Sequence, residues 1–86
     1  MTVRYRPVFN GAVVEQIATS TPRIRQELLR ICEEIANDPF QEGETFPDPM
    51  TGRPLQAKRF KRWHITFWAD HAACELRIVA VQRLKN

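Results

Sequence analysis

Leu55-Gln56-Ala57-Lys58-Arg59-Phe60-Lys61-Arg62-Trp63-His64-Ile65-Thr66-Phe67-Trp68 is the stretch on which the fold turns. Aromatic and β-branched residues favour a pleated, half-buried surface, and the charged pair Lys61-Arg62 interrupts them. Two strands are predicted, Leu55 to Phe60 and Trp63 to Trp68, joined by a tight turn. A third, Cys74 to Val81, follows Ala69-Asp70-His71-Ala72-Ala73, so this part of the chain reads as an antiparallel meander. Strict alternation along the last strand puts Leu76, Ile78 and Ala80 on one face and Glu75, Arg77, Val79, Val81 and Arg83 on the other. Arg77 and Arg83 are then expected to project the same way. Trp63 and Trp68, five residues apart, are expected on opposite faces, one of them in the core.

Before the meander, residues 38 to 54 hold four prolines and two glycines in an acidic stretch, with Pro49 and Gly52 as turn residues. It reads as one long loop, either a working segment or a connector across the end of a sheet. Upstream lies the clearest element. Thr21 is a good N-cap, Pro22 suits the first helical position, and Ile24, Leu28, Ile31 and Ile35 recur at helical spacing until Asn37-Asp38-Pro39. A shorter helix is predicted after Asn10, with Phe9 and Val14 in hydrophobic-staple positions and Val13, Val14, Ile17 and Ala18 as its apolar side. Thr2 to Phe9 alternates Val3 and Tyr5 against Arg4 and Arg6 and reads as a first strand that ends raggedly at Pro7. The order is β-α-α-β-β-β, an α+β fold with a helical hairpin packed on a small, mainly antiparallel sheet.

With 86 residues the chain is one domain, residues 1 to 86. Its apolar runs are far short of the ~18 residues a membrane span needs. No apolar segment follows the N-terminal charges, so a cytoplasmic protein without a signal peptide is expected. Cys32 and Cys74 have no metal-type spacing with each other or with His64 and His71; both are expected to be core thiols, with no metal or cofactor. The net charge of +3 conceals a division. Residues 38 to 52 carry four acidic side chains and no basic one, whereas residues 53 to 86 carry eight basic against two acidic. A basic C-terminal third is either a solvated face or the footprint of a polyanion binder.

The element order, the helix closing at Asn37-Asp38-Pro39, the proline-rich loop, the run from Leu55 to Phe67 and the final Leu76-Arg77-Ile78-Val79-Ala80-Val81-Gln82-Arg83 together resemble the RelE/ParE superfamily of bacterial toxins. The resemblance implies a toxin of a toxin-antitoxin module, held inactive by an acidic antitoxin. RelE-type members cleave mRNA on the ribosome, and ParE-type members inhibit DNA gyrase; a third possibility is an inactive relative that only binds an antitoxin. Cleavage requires removal of a 2′-hydroxyl proton, relief of charge on the phosphorane and protonation of the leaving 5′-oxygen. The resemblance points to Arg83, Lys58 and Arg62 as catalytic candidates and to Arg59 and Lys61 as nucleic-acid contacts; His64 joins the catalytic candidates through its own acid–base chemistry, and Arg77 and Lys85 join the nucleic-acid contacts as further basic residues. The sequence also departs from the family pattern twice. His64 stands where an Arg usually follows the third-strand aromatic, and no Tyr or His follows Arg83. Tyr5 and His71 are read as structural or solvent-exposed rather than as replacements.

Overall fold

The computed structural model describes residues 4 to 84. Seven elements follow one another: β1 (Arg6–Phe9), α1 (Gly11–Thr19), α2 (Pro22–Ala36), β2 (Glu44–Pro47), β3 (Pro54–Phe60), β4 (Trp63–Asp70) and β5 (Glu75–Arg83). Thr2 and Val3, where the first strand was expected to start, lie outside the described residues. The strands form one five-stranded mixed sheet in the order β1-β5-β4-β3-β2, in which only the β1–β5 pairing is parallel. Both helices pack against one face. The α+β architecture expected from the sequence is therefore present, with one more strand than expected. That strand, β2, lies in the acidic loop and pairs with β3 from Glu44↔Ala57 to Pro47↔Pro54. All four of its residues are exposed, so main-chain hydrogen bonds rather than burial hold it.

The helices begin and end where local chemistry requires. Asn10 Oδ1 accepts from Val13 N at 2.9 Å, and Thr21 caps α2 with Pro22 in the first turn. The guanidinium of Arg25 donates to the carbonyls of Ile17, Ala18 and Ser20, which supplies partners to the end of α1 and locks the helical hairpin. Leu28, Ile31, Cys32, Ile35 and Ala36 of α2 face the sheet, joined by Val13 and Ile17 of α1. Opposite them stand Trp63, Ile65 and Phe67 of β4 and Leu76, Ile78 and Val81 of β5. Val14, assigned to the apolar side of α1, is 51% exposed instead; it borders a shallow groove with Phe9, Ala18 and Leu29. The staple pair thus shares one groove without closing it.

Two expectations are corrected by the strand register. Thr66 pairs with Ala80 and Phe67 with Ile78, so Val79 is an extra residue in β5, a β-bulge. A bulge reverses the alternation beyond it. Leu76, Ile78, Val81 and Arg83 consequently share the helix-side face, and Arg77, Ala80 and Gln82 share the other; Arg77 and Arg83 leave opposite faces. The carbonyl of Val79, freed from the ladder, accepts from Asn10 Nδ2 at 2.8 Å and ties α1 to β5. Cys74 is the second correction. It occupies the β4–β5 turn with φ of 52° and is exposed, whereas Cys32 is fully buried. The two tryptophans do lie on opposite faces, Trp63 in the core and Trp68 half-exposed on the open face.

Candidate functional site

The β3–β4 turn gathers most of the basic candidates at one end of the sheet. Phe60 pairs with Trp63, leaving Lys61 and Arg62 as the two turn residues, and Lys61 adopts φ of 55°. A non-glycine residue in that region is disfavoured, and Arg59 supports it by donating Nε to the Lys61 carbonyl at 2.8 Å. The turn also leans on β5, since Leu84 N donates to the Arg62 carbonyl at 2.7 Å. Trp63 pairs with Arg83, and His64 pairs with both Arg59 and Gln82. Arg59, Lys61, Arg62, His64 and Arg83 therefore meet at the same sheet end.

They do not share a face. Direct partners in an antiparallel ladder point the same way, so His64 and Arg59 are on the open face, while Arg83 is on the helix side with its guanidinium 6.0 Å from the Trp63 ring. Lys58, paired with Ile65, also belongs to the helix side, and its Nζ donates to Gln41 Oε1 at 2.9 Å. Arg77 is at the far end of β5, bonded to Glu75 at 2.9 Å and 5.6 Å from the Trp68 ring. Lys85 lies outside the described residues.

Glu27 of α2 had no signal in the sequence beyond being one of several helix carboxylates. Its Oε2 accepts from Arg62 Nη2 at 2.5 Å across 35 positions of chain. That hydrogen bond holds the Glu27 carboxyl below its ordinary pKa, against partial burial, which pushes it up; the Arg62 charge, the Trp63 indole N–H and the Lys61 charge also lower it. The proton is thus kept off Glu27, and Arg62 is held in place rather than free to swing.

The opposite sheet end carries a cleft of about 490 Å³, bordered by Phe40, Gln56, Trp68 and His71 among others. Arg53 lies 4.0 Å over the Trp68 ring. His71 is exposed but not idle: its ring stacks on Phe40 at 5.0 Å, and its Nδ1 shares a 2.8 Å hydrogen bond with the Tyr5 hydroxyl. Tyr5 itself is buried among core residues. Among the described residues no group of three or more His, Cys, Asp or Glu side chains is gathered as metal ligands would be, and no helix is long and apolar enough to cross a membrane.

No family model matches the chain, and no curated protein is significantly similar to it. Solved structures are similar. The isolated RelE toxin of Escherichia coli matches over 95% of this chain and 86% of its own, with a TM-score of 0.71 and 10% identity. The fold is that of the RelE toxins. A chain of the RelBE2 toxin-antitoxin complex of Mycobacterium tuberculosis shares this RelE fold over 100% of the present chain and 98% of its own, with a TM-score of 0.79 and 15% identity. The archaeal RelE–RelB complex of Pyrococcus horikoshii gives 0.67 at 15% identity, covering 96% of each chain. Identities this low speak for the RelE fold alone.

Proposed function

We propose that this chain is a RelE-like toxin, a ribosome-dependent mRNA endonuclease that inhibits translation and is restrained by an acidic antitoxin. The supporting observation is the position of the basic side chains on the RelE fold: Arg59, Lys61, Arg62, His64 and Arg83 gather at one end of the sheet, from the β3–β4 turn and the end of β5. In this reading RNA wraps the end of the sheet, with Arg83 offsetting charge on the phosphorane from the helix side, Arg59 and Lys61 holding the RNA backbone at the turn, and His64 available for proton exchange only to RNA that reaches the open face. Lys58 stands beside this group, and Arg77 is a remote contact. The antitoxin partner is supported by the toxin-antitoxin complexes among the structures of the same fold.

The separation of His64 and Arg83 onto opposite faces favours one second reading, a ParE-like toxin that acts on DNA gyrase through binding and needs no paired acid and base. Expression of the chain alone in a bacterial host, with primer-extension mapping of cellular mRNAs, separates the two. Growth arrest with cuts inside translated codons, lost in an Arg83→Ala strain that still makes folded protein, is the expected result. Arrest without cuts transfers the proposal to gyrase, and cleavage that persists in the variant removes Arg83 from the site.

A further inference from the structure

The helix side of the basic end contains a second concavity, of about 290 Å³, between α2 and the β3–β4 turn. Arg23, Gln26, Glu27 and Arg30 line it from one stripe of α2, at i, i+3, i+4 and i+7, and Lys61 and Arg62 line it from the turn. Four cations thus surround one space with one carboxylate. Glu27 is committed to Arg62, and among the described residues Arg23, Arg30 and Lys61 have no carboxylate within 4.0 Å. A buried donor beside it, Arg62 Nε, has no hydrogen-bond partner. Like charges brought together from α2 and a turn distant in sequence repel each other, and an oxyanion with several acceptor oxygens would relieve the repulsion.

We propose that this concavity is a phosphate-binding site, in which Arg23, Arg30 and Lys61 contact the phosphate and Glu27 is a positioning residue that holds Arg62 against it. The site shares Lys61 and Arg62 with the basic group around His64 but adds Arg23 and Arg30 from α2, and binding of free phosphate there does not depend on the nuclease reading. A phosphate of single-stranded RNA and free inorganic phosphate present the same chemistry, so the test has one arm for each.

In the first arm, inorganic phosphate is titrated into the isotope-labelled full chain while the Arg62 Nε–H and Lys61 amide resonances are followed. Saturable shifts are expected in the parent and in an Arg6→Gln control at the far end of the sheet, and not in an Arg23→Gln/Arg30→Gln variant. Both substituted residues are exposed, so the variant should keep its spectral dispersion. In the second arm, a 2′-O-methylated single-stranded RNA, which lacks the attacking hydroxyl, is bound across a salt series. If one of its phosphates occupies the pocket, the double variant lowers the slope of log K against log salt by about 0.7, the contribution of one phosphate no longer neutralised. An unchanged slope beside saturable phosphate shifts assigns the pocket to free phosphate. Glu27→Gln tests positioning by its sign: loss of a carboxylate alone would tighten anion binding, whereas release of Arg62 weakens it several-fold and moves the Arg62 Nε–H resonance. Phosphate shifts that are non-saturable, or equal in parent and double variant, overturn the site; tighter binding by Glu27→Gln overturns its positioning role.

Discussion

Deletion of Val79 tests the strand register on which the placement of Arg83 depends. With Val79 as a bulge residue, its removal leaves Ile78 opposite Phe67 and Ala80 opposite Thr66, and no side chain changes face. The losses are then local. The exposed hydrogen bond from Asn10 to the Val79 carbonyl contributes about 0.5–1.5 kcal/mol, and the half-buried valine side chain about 1 kcal/mol more. A cost of about 2 kcal/mol corresponds to a Tm lowered by roughly 8–16 °C in a domain of this size. With unbroken alternation, the same deletion would slip the pairing by one residue and move Ala80, Val81, Gln82 and Arg83 each to the opposite face. Four side chains displaced from the faces they pack on, at about 1 kcal/mol or more each, would together cost about 3–6 kcal/mol, much of the ~5–15 kcal/mol that holds a domain folded. Urea unfolding followed by tryptophan fluorescence measures the difference, and a retained nuclear Overhauser effect between Trp63 and Arg83 checks the face directly. A loss above about 3 kcal/mol, or disappearance of that effect in a folded variant, refutes the bulge.

Three further outcomes are expected. A methyl group at Gly43 would collide with the Ala57 carbonyl oxygen, so Gly43→Ala should cost about 1–3 kcal/mol and speed amide exchange in β2 before the core strands, as hydrogen exchange will show. Of the two thiols, Cys74 should react readily with a disulfide reagent, while Cys32, buried and pushed up to about 12, should react only on unfolding; two equally fast thiols would contradict the placement of Cys32. Tyr5, the sole tyrosine, is raised above its ordinary value of 10.0, first by desolvation and then by the charges of Cys74 and Asp70. A folded-state pKa above the unfolded one stabilises the fold below pH 10 and loses that contribution as pH climbs through the folded value. Phenolate absorbance should therefore appear later in the folded chain than in urea, and coincident titrations would contradict it.

Much of the fold was legible because its signals are local. Thr21-Pro22 starts α2, its apolar spacing marks the buried side, and Lys61-Arg62 separates two strands rich in aromatic and β-branched residues. What escaped depends on distant partners. Glu44 to Pro47 carries no buried face, and only the neighbouring edge of β3 makes it a strand. Nothing in Val79-Ala80-Val81 signals a bulge, since its cause lies in β4 and in Asn10. Cys74 follows two alanines and reads as the start of a strand, but it takes the left-handed turn position. At the candidate site the basic residues of the turn were legible by type, whereas their division between two faces follows from the register. The pairing of Glu27 with Arg62 joins residues that only the folded α2 and turn bring together.

The parallel pairing of β1 with β5 also sets an order of assembly during synthesis. Arg6 is aligned with Glu75, so the first edge of the sheet has no neighbour until nearly the whole described chain has left the ribosome. The β2–β3–β4 meander can zip together earlier from short loops, but closing a loop of this length costs entropy that must be met before β1 contributes anything. The apolar side of α2 meanwhile waits for Leu76, Ile78 and Val81 to complete its floor. A nascent chain stopped before β5 would therefore lack both the closed sheet and Arg83. Structural completion and arrival of the leading candidate side chain would be timed by the same strand.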